Sequence, residues 1–91
     1  MSMAKNSVGT RAYVLIDAEP DQVTKVVASL RGRLDVPLVD AINGPYSAIA
    51  VVEGSNASTV AKSILVDIRK LSGVKNITVY LATPEDEAKG G

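Results

Sequence analysis

The chain has 91 residues, enough for one small domain; 46% are hydrophobic, yet the only aromatics are Tyr13, Tyr46 and Tyr80. Its core must therefore be built from Val, Ile, Leu and Ala, and a chain this short buries a smaller fraction of its surface than a large domain does. Ten basic and ten acidic residues cancel and there is no cysteine, which argues against a phosphate-attracting field and excludes a disulfide frame or a thiolate nucleophile.

Met1–Thr10 is polar and reads as a flexible lead, without the apolar stretch of a secretory signal. Arg11–Ala18 is a strand, nearly continuous in apolar residues through Ala12, Tyr13, Val14, Leu15 and Ile16. Pro20 suits a first helical position and Asp21 a first turn. Val23, Val26, Val27, Leu30 and Leu34 then recur at helical spacing, with Gly32 a candidate stop. Val36–Asn43 reads as a second strand, Asn43–Tyr46 as a turn, and Ser47–Glu53 as a third strand. Ser55 or Asn56 can cap a second helix, whose stripe is Ala57, Val60, Ala61, Ile64, Ile68 and Leu71. Arg69 and Lys70 suit its negative C-terminal end, and Gly73 suits a left-handed cap. In the last strand, Val74–Leu81, Ile77, Val79 and Leu81 point to one face and Asn76, Thr78 and Tyr80 to the other. Thr83–Gly91 reads as a charged, flexible tail.

This order is strand, helix, strand, tight turn, strand, helix, strand. It predicts an α+β, ferredoxin-like βαββαβ sandwich over residues 11–82, with a four-stranded antiparallel sheet and two helices on one face. No apolar run approaches the roughly 20 residues of a membrane span, so the expectation is a soluble, cytoplasmic protein without membrane contact.

Two helices cover one face of such a sheet, and a wet opposite face should then alternate with polar residues. Here the first strand carries Ala12, Val14 and Ile16 on one face and Tyr13 and Leu15 on the other. The third sets Ile49 and Val51 against Ala48, Ala50 and Val52. At about 25 cal/mol per Å2, leaving several such side chains in water forfeits several kcal/mol. The surplus face is expected to pack on a second copy in an isologous dimer.

The opening Ala12-Tyr13-Val14-Leu15-Ile16, the Gly44-Pro45-Tyr46 turn, and Ile68-Arg69-Lys70-Leu71 followed by Gly73-Val74 resemble, in order and spacing, the effector-binding (RAM) domain of the Lrp/AsnC regulators. That resemblance implies dimers through sheet packing, with Tyr13, Leu15 and Tyr80 at the interface, and higher assemblies of those dimers. It also implies a small effector, typically an amino acid, held by Gly44, Pro45, Tyr46, Ser47, Asn76 and Thr78. Full-length Lrp/AsnC-type regulators, in which a helix-turn-helix precedes this domain, become possible partners. Only about ten residues precede the first strand here, so the chain looks like a stand-alone version. The family's turn typically continues into an aspartate where this chain has Ser47, which exchanges a charge-assisted contact for a neutral one of roughly half the strength.

Chemistry of other kinds finds little footing. Asp17 and Glu19 could be paired carboxylates, but without histidine or a nucleophile–base pair they read as a solvated helix approach. They also lack the further oxygen ligands of a calcium loop. Arg31, Arg33, Lys70 and Lys75 are interspersed with Asp35, Asp40 and Asp67, and base stacking would want more aromatics, so no direct nucleic-acid contact is expected. No catalytic residue, metal or cofactor is implied. Two functions remain: a non-catalytic sensing module, acting alone or with full-length regulators, or a purely structural oligomerisation module.

Overall fold

A computed structural model of the chain describes residues 9–82. Nearly all of the expected lead and the whole of the expected tail, residues 83–91, lie outside the described residues. The elements are β1 (Thr10–Ala18), α1 (Val23–Leu30), β2 (Leu38–Ala41), β3 (Ala48–Gly54), α2 (Ala57–Lys62) and β4 (Val74–Leu81). A 3-10 turn over Pro20–Gln22 leads into α1, and a π-helical segment over Ser63–Ile68 extends α2. The four strands lie in the order β2-β3-β1-β4, and every neighbouring pair is antiparallel. Each helix therefore links two strands separated by one other. This is the ferredoxin-like α+β sandwich that the pattern predicts.

The core fills the space between the helices and one sheet face. Ala12, Val14, Ile16 and Ala18 of β1 and Ala48, Ala50 and Val52 of β3 meet Val26, Val27 and Leu30 of α1, Val60 of α2, and Ile64 and Ile68 of the π segment, all of them buried. Much of the strand contribution is alanine. Small side chains on the sheet let the larger residues of the helices sit close to it, as dense packing requires.

The N-cap predicted for α2 is present, whereas Gly73 does not cap the helix: the helical segment ends at Arg69, in right-handed geometry, and Gly73 lies in the turn that leads into β4. The Asn56 side chain accepts a hydrogen bond from the Thr59 N–H at 2.8 Å, satisfying one of the otherwise free donors at the start of α2. Gly73 has φ +96°, a region that costs glycine little. Its carbonyl accepts from the Glu19 N–H at 2.8 Å, and the Gln22 side chain occupies the space a Cβ would need. The entry to β4 is thereby tied to the entry to α1.

Several boundaries differ from the sequence reading. β1 starts at Thr10, inside the expected lead, and β2 is limited to Leu38–Ala41. Leu34 does not continue the α1 stripe: the chain leaves the helix at Arg31, Gly32 turns it with φ +95°, and Leu34 is fully exposed. In the second helix Ala57 and Ala61 are exposed and Leu71 is half-buried, while Val60, Ile64 and Ile68 are buried. A spacing of four overshoots an α-helical turn and falls short of the wider π turn, so the change of helix type after Lys62 keeps these three in line. The Arg69 N–H closes that segment on the Ile64 carbonyl at 3.0 Å. Of the core-facing residues expected in β4, Ile77 is half-buried, but Val79 and Leu81 are exposed. β4 is an edge strand, and its far end projects past the helices.

The loop between α1 and β2 is held by charge. The Arg33 guanidinium donates to Asp35 at 3.0 Å and to Asp67 at 2.7 Å, and the Ser63 hydroxyl donates to Asp35 at 2.6 Å. Hydrogen bonding to Arg33 holds the Asp35 carboxyl below its ordinary pKa, partly opposed by burial. A depressed carboxylate contributes stability above its unfolded pKa and loses it as pH falls through the folded one. Asp35→Asn should therefore destabilise the domain by about 1 kcal/mol at neutral pH. In urea denaturation followed from pH 7 downward, the difference from wild type should shrink below the ordinary carboxylate range.

Candidate functional site on the open sheet face

The strand register converts the period-two pattern into rows across the uncovered face. Arg11 stands opposite Glu53, and the two form an ion pair at 2.8 Å. The next row runs Leu38, Val51, Tyr13, Tyr80, and the one after it Asp40, Ile49, Leu15, Thr78. Asp17 and Asn76 make a last partial row. The face thus has an apolar centre and polar ends. Tyr80 is 60% exposed and Leu38 45%, while Leu15, Ile49 and Val51 are half-buried. The expected interface residues Tyr13, Leu15 and Tyr80 fall in these two central rows. Leu38 was not singled out in the sequence; its alternation with Asp40 is a signal, but only pairing with Val51 gives it a place.

The hairpin turn between β2 and β3 reaches over this face. The Tyr46 hydroxyl and the Thr78 hydroxyl are hydrogen-bonded at 2.8 Å. Thr78 lies on β4 and Tyr46 precedes β3, with β1 between those strands, so the tyrosine side chain spans β1 near Leu15. Among the residues that the resemblance implies, these two are brought into contact. Ser47 takes a different position. Its Oγ accepts from the Ala18 N–H at 3.1 Å and donates to the Ala18 carbonyl at 3.3 Å, latching the end of β1 to the start of β3. Register shifts between Asp17 and Ala18 at that end. The Asn76 side chain accepts from the N–H of the next residue, Ile77, at 3.0 Å. Gly44 and Pro45 are exposed at the tip of the hairpin.

A cleft of about 300 Å3 lies elsewhere, between the end of α1 and β2, lined by Arg31, Gly32 and Val36–Asp40. Among the described residues, no group of three or more Asp or Glu side chains is placed to hold a metal ion. No described helix is long and apolar enough to cross a membrane.

No family model and no curated protein sequence matches the chain. Solved structures do. The crystal structure of FFRP-DM1 superposes with a TM-score of 0.78 at 20% identity, over 81% of this chain and 99% of that one. Escherichia coli AsnC gives 0.77 at 12% identity, over 92% of this chain and 60% of AsnC. A transcriptional regulator from Neisseria meningitidis, solved in complex with L-Met, gives 0.78 at 17% identity, over 93% of this chain and 58% of that one. The fold is therefore one found in AsnC and in other transcriptional regulators, and the chain spans about three fifths of those two proteins.

The Tyr46–Thr78 bond is a testable part of this geometry. Tyr46→Phe keeps the ring and removes the hydroxyl, so it should cost about 1 kcal/mol of unfolding free energy. In a double-mutant cycle by urea denaturation, Thr78→Ala should add little to Tyr46→Phe.

Proposed function

We propose that this chain is a non-catalytic, oligomeric sensing module of the Lrp/AsnC type, binding a small effector, an amino acid, in the service of transcription regulation. It acts alone or by joining full-length Lrp/AsnC-type regulators. The observation that carries this reading is the open face, an apolar centre with a polar hydroxyl pair at its rim, on a fold that also occurs in a regulator bound to L-Met. A second copy covering Tyr13, Leu15, Leu38, Ile49, Val51 and Tyr80 would remove this apolar area from water, and the Arg11–Glu53 pair would remain at its margin. That is the usual anatomy of a protein interface.

The effector would be received where the hairpin approaches β4, by the Tyr46 and Thr78 hydroxyls and the Asn76 carboxamide, with Gly44 and Pro45 forming the edge of the turn. Ser47 would contribute by holding that turn against Ala18 as well as through its own oxygen. A neutral set of this kind recognises the polar ends of a zwitterion by hydrogen bonds, without a carboxylate to pair with the amino group. Ligand then favours whichever assembly binds it better, and by no more than the difference in affinity.

The alternative is a structural oligomerisation module without a ligand. What favours it is that the hydroxyls of Ser47, Tyr46 and Thr78 already have partners within the chain.

A thermal-shift screen with the amino acids, run beside mass measurement in solution, separates the two. An effector present at a hundredfold its Kd adds about 2.7 kcal/mol, which for a domain of this size raises Tm by roughly 10–20 °C. Thr78→Ala should reduce that rise while leaving the mass unchanged. Leu15→Asp should lower the mass, because it places a charge in the centre of the open face. A constant assembly that responds to no amino acid leaves the structural module, and a folded monomer at every concentration overturns both readings.

A further inference from the structure

The connection between β2 and β3 carries the dipeptide Asn43-Gly44, both residues exposed. In a hairpin such a pair ordinarily has a conformational reason. Two-residue turns of the primed types need positive φ, which asparagine tolerates and glycine adopts freely. That reason is absent here. Among the described residues positive φ occurs at Gly32 and Gly73 alone, so neither Asn43 nor Gly44 is left-handed. The bond that would close a tight turn comes from the N–H of the residue after the pair, and that residue is Pro45, which has none. Space does not ask for glycine either: a Cβ on Gly44 would meet nothing within 4 Å.

What the pair keeps is its reactivity. Asparagine is among the thermolabile residues, because the nitrogen of the following peptide can attack its side-chain carbonyl carbon. A following glycine crowds that nitrogen least. The local structure leaves the reaction free. The backbone bonds that fix the hairpin lie at its ends, from the Ile42 N–H to the Ser47 carbonyl at 2.9 Å and from the Ser47 N–H to the Ile16 carbonyl at 2.8 Å. Among the described residues, neither the Gly44 N–H nor the Asn43 carboxamide has a hydrogen-bond partner. The other two described asparagines are placed differently. Asn56 Oδ1 accepts from the Thr59 N–H at 2.8 Å at the start of α2. Asn76 is followed by the β-branched Ile77, which crowds the attacking nitrogen, and the pairing of both residues with β1 holds their backbone.

We infer that Asn43-Gly44 is a self-modifying site, at which an uncharged turn acquires a carboxylate without an enzyme. Solvent base takes the proton of the Gly44 N–H, the nitrogen bonds to Asn43 Cγ, and the side-chain amino group leaves as ammonia. The product is a five-membered imide, which water opens at either carbonyl. Cleavage of the new bond, from nitrogen to Cγ, gives aspartate in an unaltered main chain. Cleavage of the original bond, from nitrogen to the Asn43 carbonyl carbon, gives isoaspartate, whose main chain is lengthened by the Cβ. Either product puts a negative charge on a chain whose formal charges otherwise cancel. The charge stands on the hairpin from which Tyr46 reaches Thr78. The Ile42–Ser47 bond closes this connection on the sheet side, so the added length is taken up within the turn. The reaction requires neither an effector nor a second copy.

Incubation of the full chain in mildly alkaline buffer, followed by peptide mapping with mass spectrometry, tests the proposal. The Asn43 peptide should gain the mass of an amide-to-acid exchange and separate into aspartate and isoaspartate forms, while an acidic species grows in step on ion exchange. Gly44→Ala, for which the open space at position 44 leaves room, should keep the thermal transition and slow conversion roughly tenfold, equivalent to about 1.4 kcal/mol on the barrier. The Asn56 and Asn76 peptides should stay unconverted until urea unfolds the chain, whereas Asn43 should react in the folded chain nearly as fast as in urea. Conversion of Asn43 only after unfolding, or no faster than at Asn56 and Asn76 in the folded chain, overturns the proposal. An unchanged rate in Gly44→Ala also overturns it, because the Gly44 nitrogen would then not be the nucleophile.

Discussion

Every row of this sheet passes through β1. It is the strand flanked by β3 and β4, and its two faces carry opposite obligations. Toward the helices it presents Ala12, Val14, Ile16 and Ala18, all buried. On the other side it presents Tyr13 and Leu15, larger side chains on a face that no described element covers. The arrangement inverts the usual economy of a small domain, in which bulk goes inside. Alanines beneath the helices allow close approach, while much of the strands' apolar bulk lies outside, at a cost of about 25 cal/mol for each Å2 left wet. The open face is therefore a consequence of how β1 is built.

Much of that was legible in the sequence because it rests on period and on backbone dihedrals. Alternation across Ala12–Ile16 and Ala48–Val52 assigns faces to the strands. Asparagine at 56 marks a helix start, and glycine at 73 a left-handed turn into β4, for reasons intrinsic to those residues. Less legible were features decided by three-dimensional competition. Leu34 continues a helical spacing but lies beyond the turn at Gly32, so periodicity placed in the stripe a residue that is fully exposed. Val79 and Leu81 have the correct parity for the core, yet the helices do not reach the end of an edge strand. The change to π geometry after Lys62 shows only as a repeated spacing of four, which an α-helix tolerates almost as well.

The residues of the candidate site divide along the same line. Tyr46 and Thr78 are separated by 32 positions in sequence, and only the strand order brings them together. Ser47 looked from sequence like a neutral substitute for a carboxylate. The fold gives its hydroxyl a local task, donor and acceptor to one residue at the end of β1. A carboxylate at this position could accept from the Ala18 N–H but could not donate to its carbonyl. Serine therefore suits the latch better than aspartate does, whatever an effector would prefer.

The hydroxyl pair draws on an edge strand. Thr78 directs its backbone to β1 and its side chain to Tyr46. A molecule inserted between Tyr46 and Thr78 would have to replace a hydrogen bond already made, so its net gain is the difference between two sets of contacts rather than their sum. Whatever strain or relief it brings is delivered to β4. Because β4 is held to the sheet by β1 alone, it is less constrained than β1 or β3. Were an effector bound there, its coupling to assembly would need no path through the domain interior: it would require only that two assemblies hold β4 differently and that the effector bind one of them better.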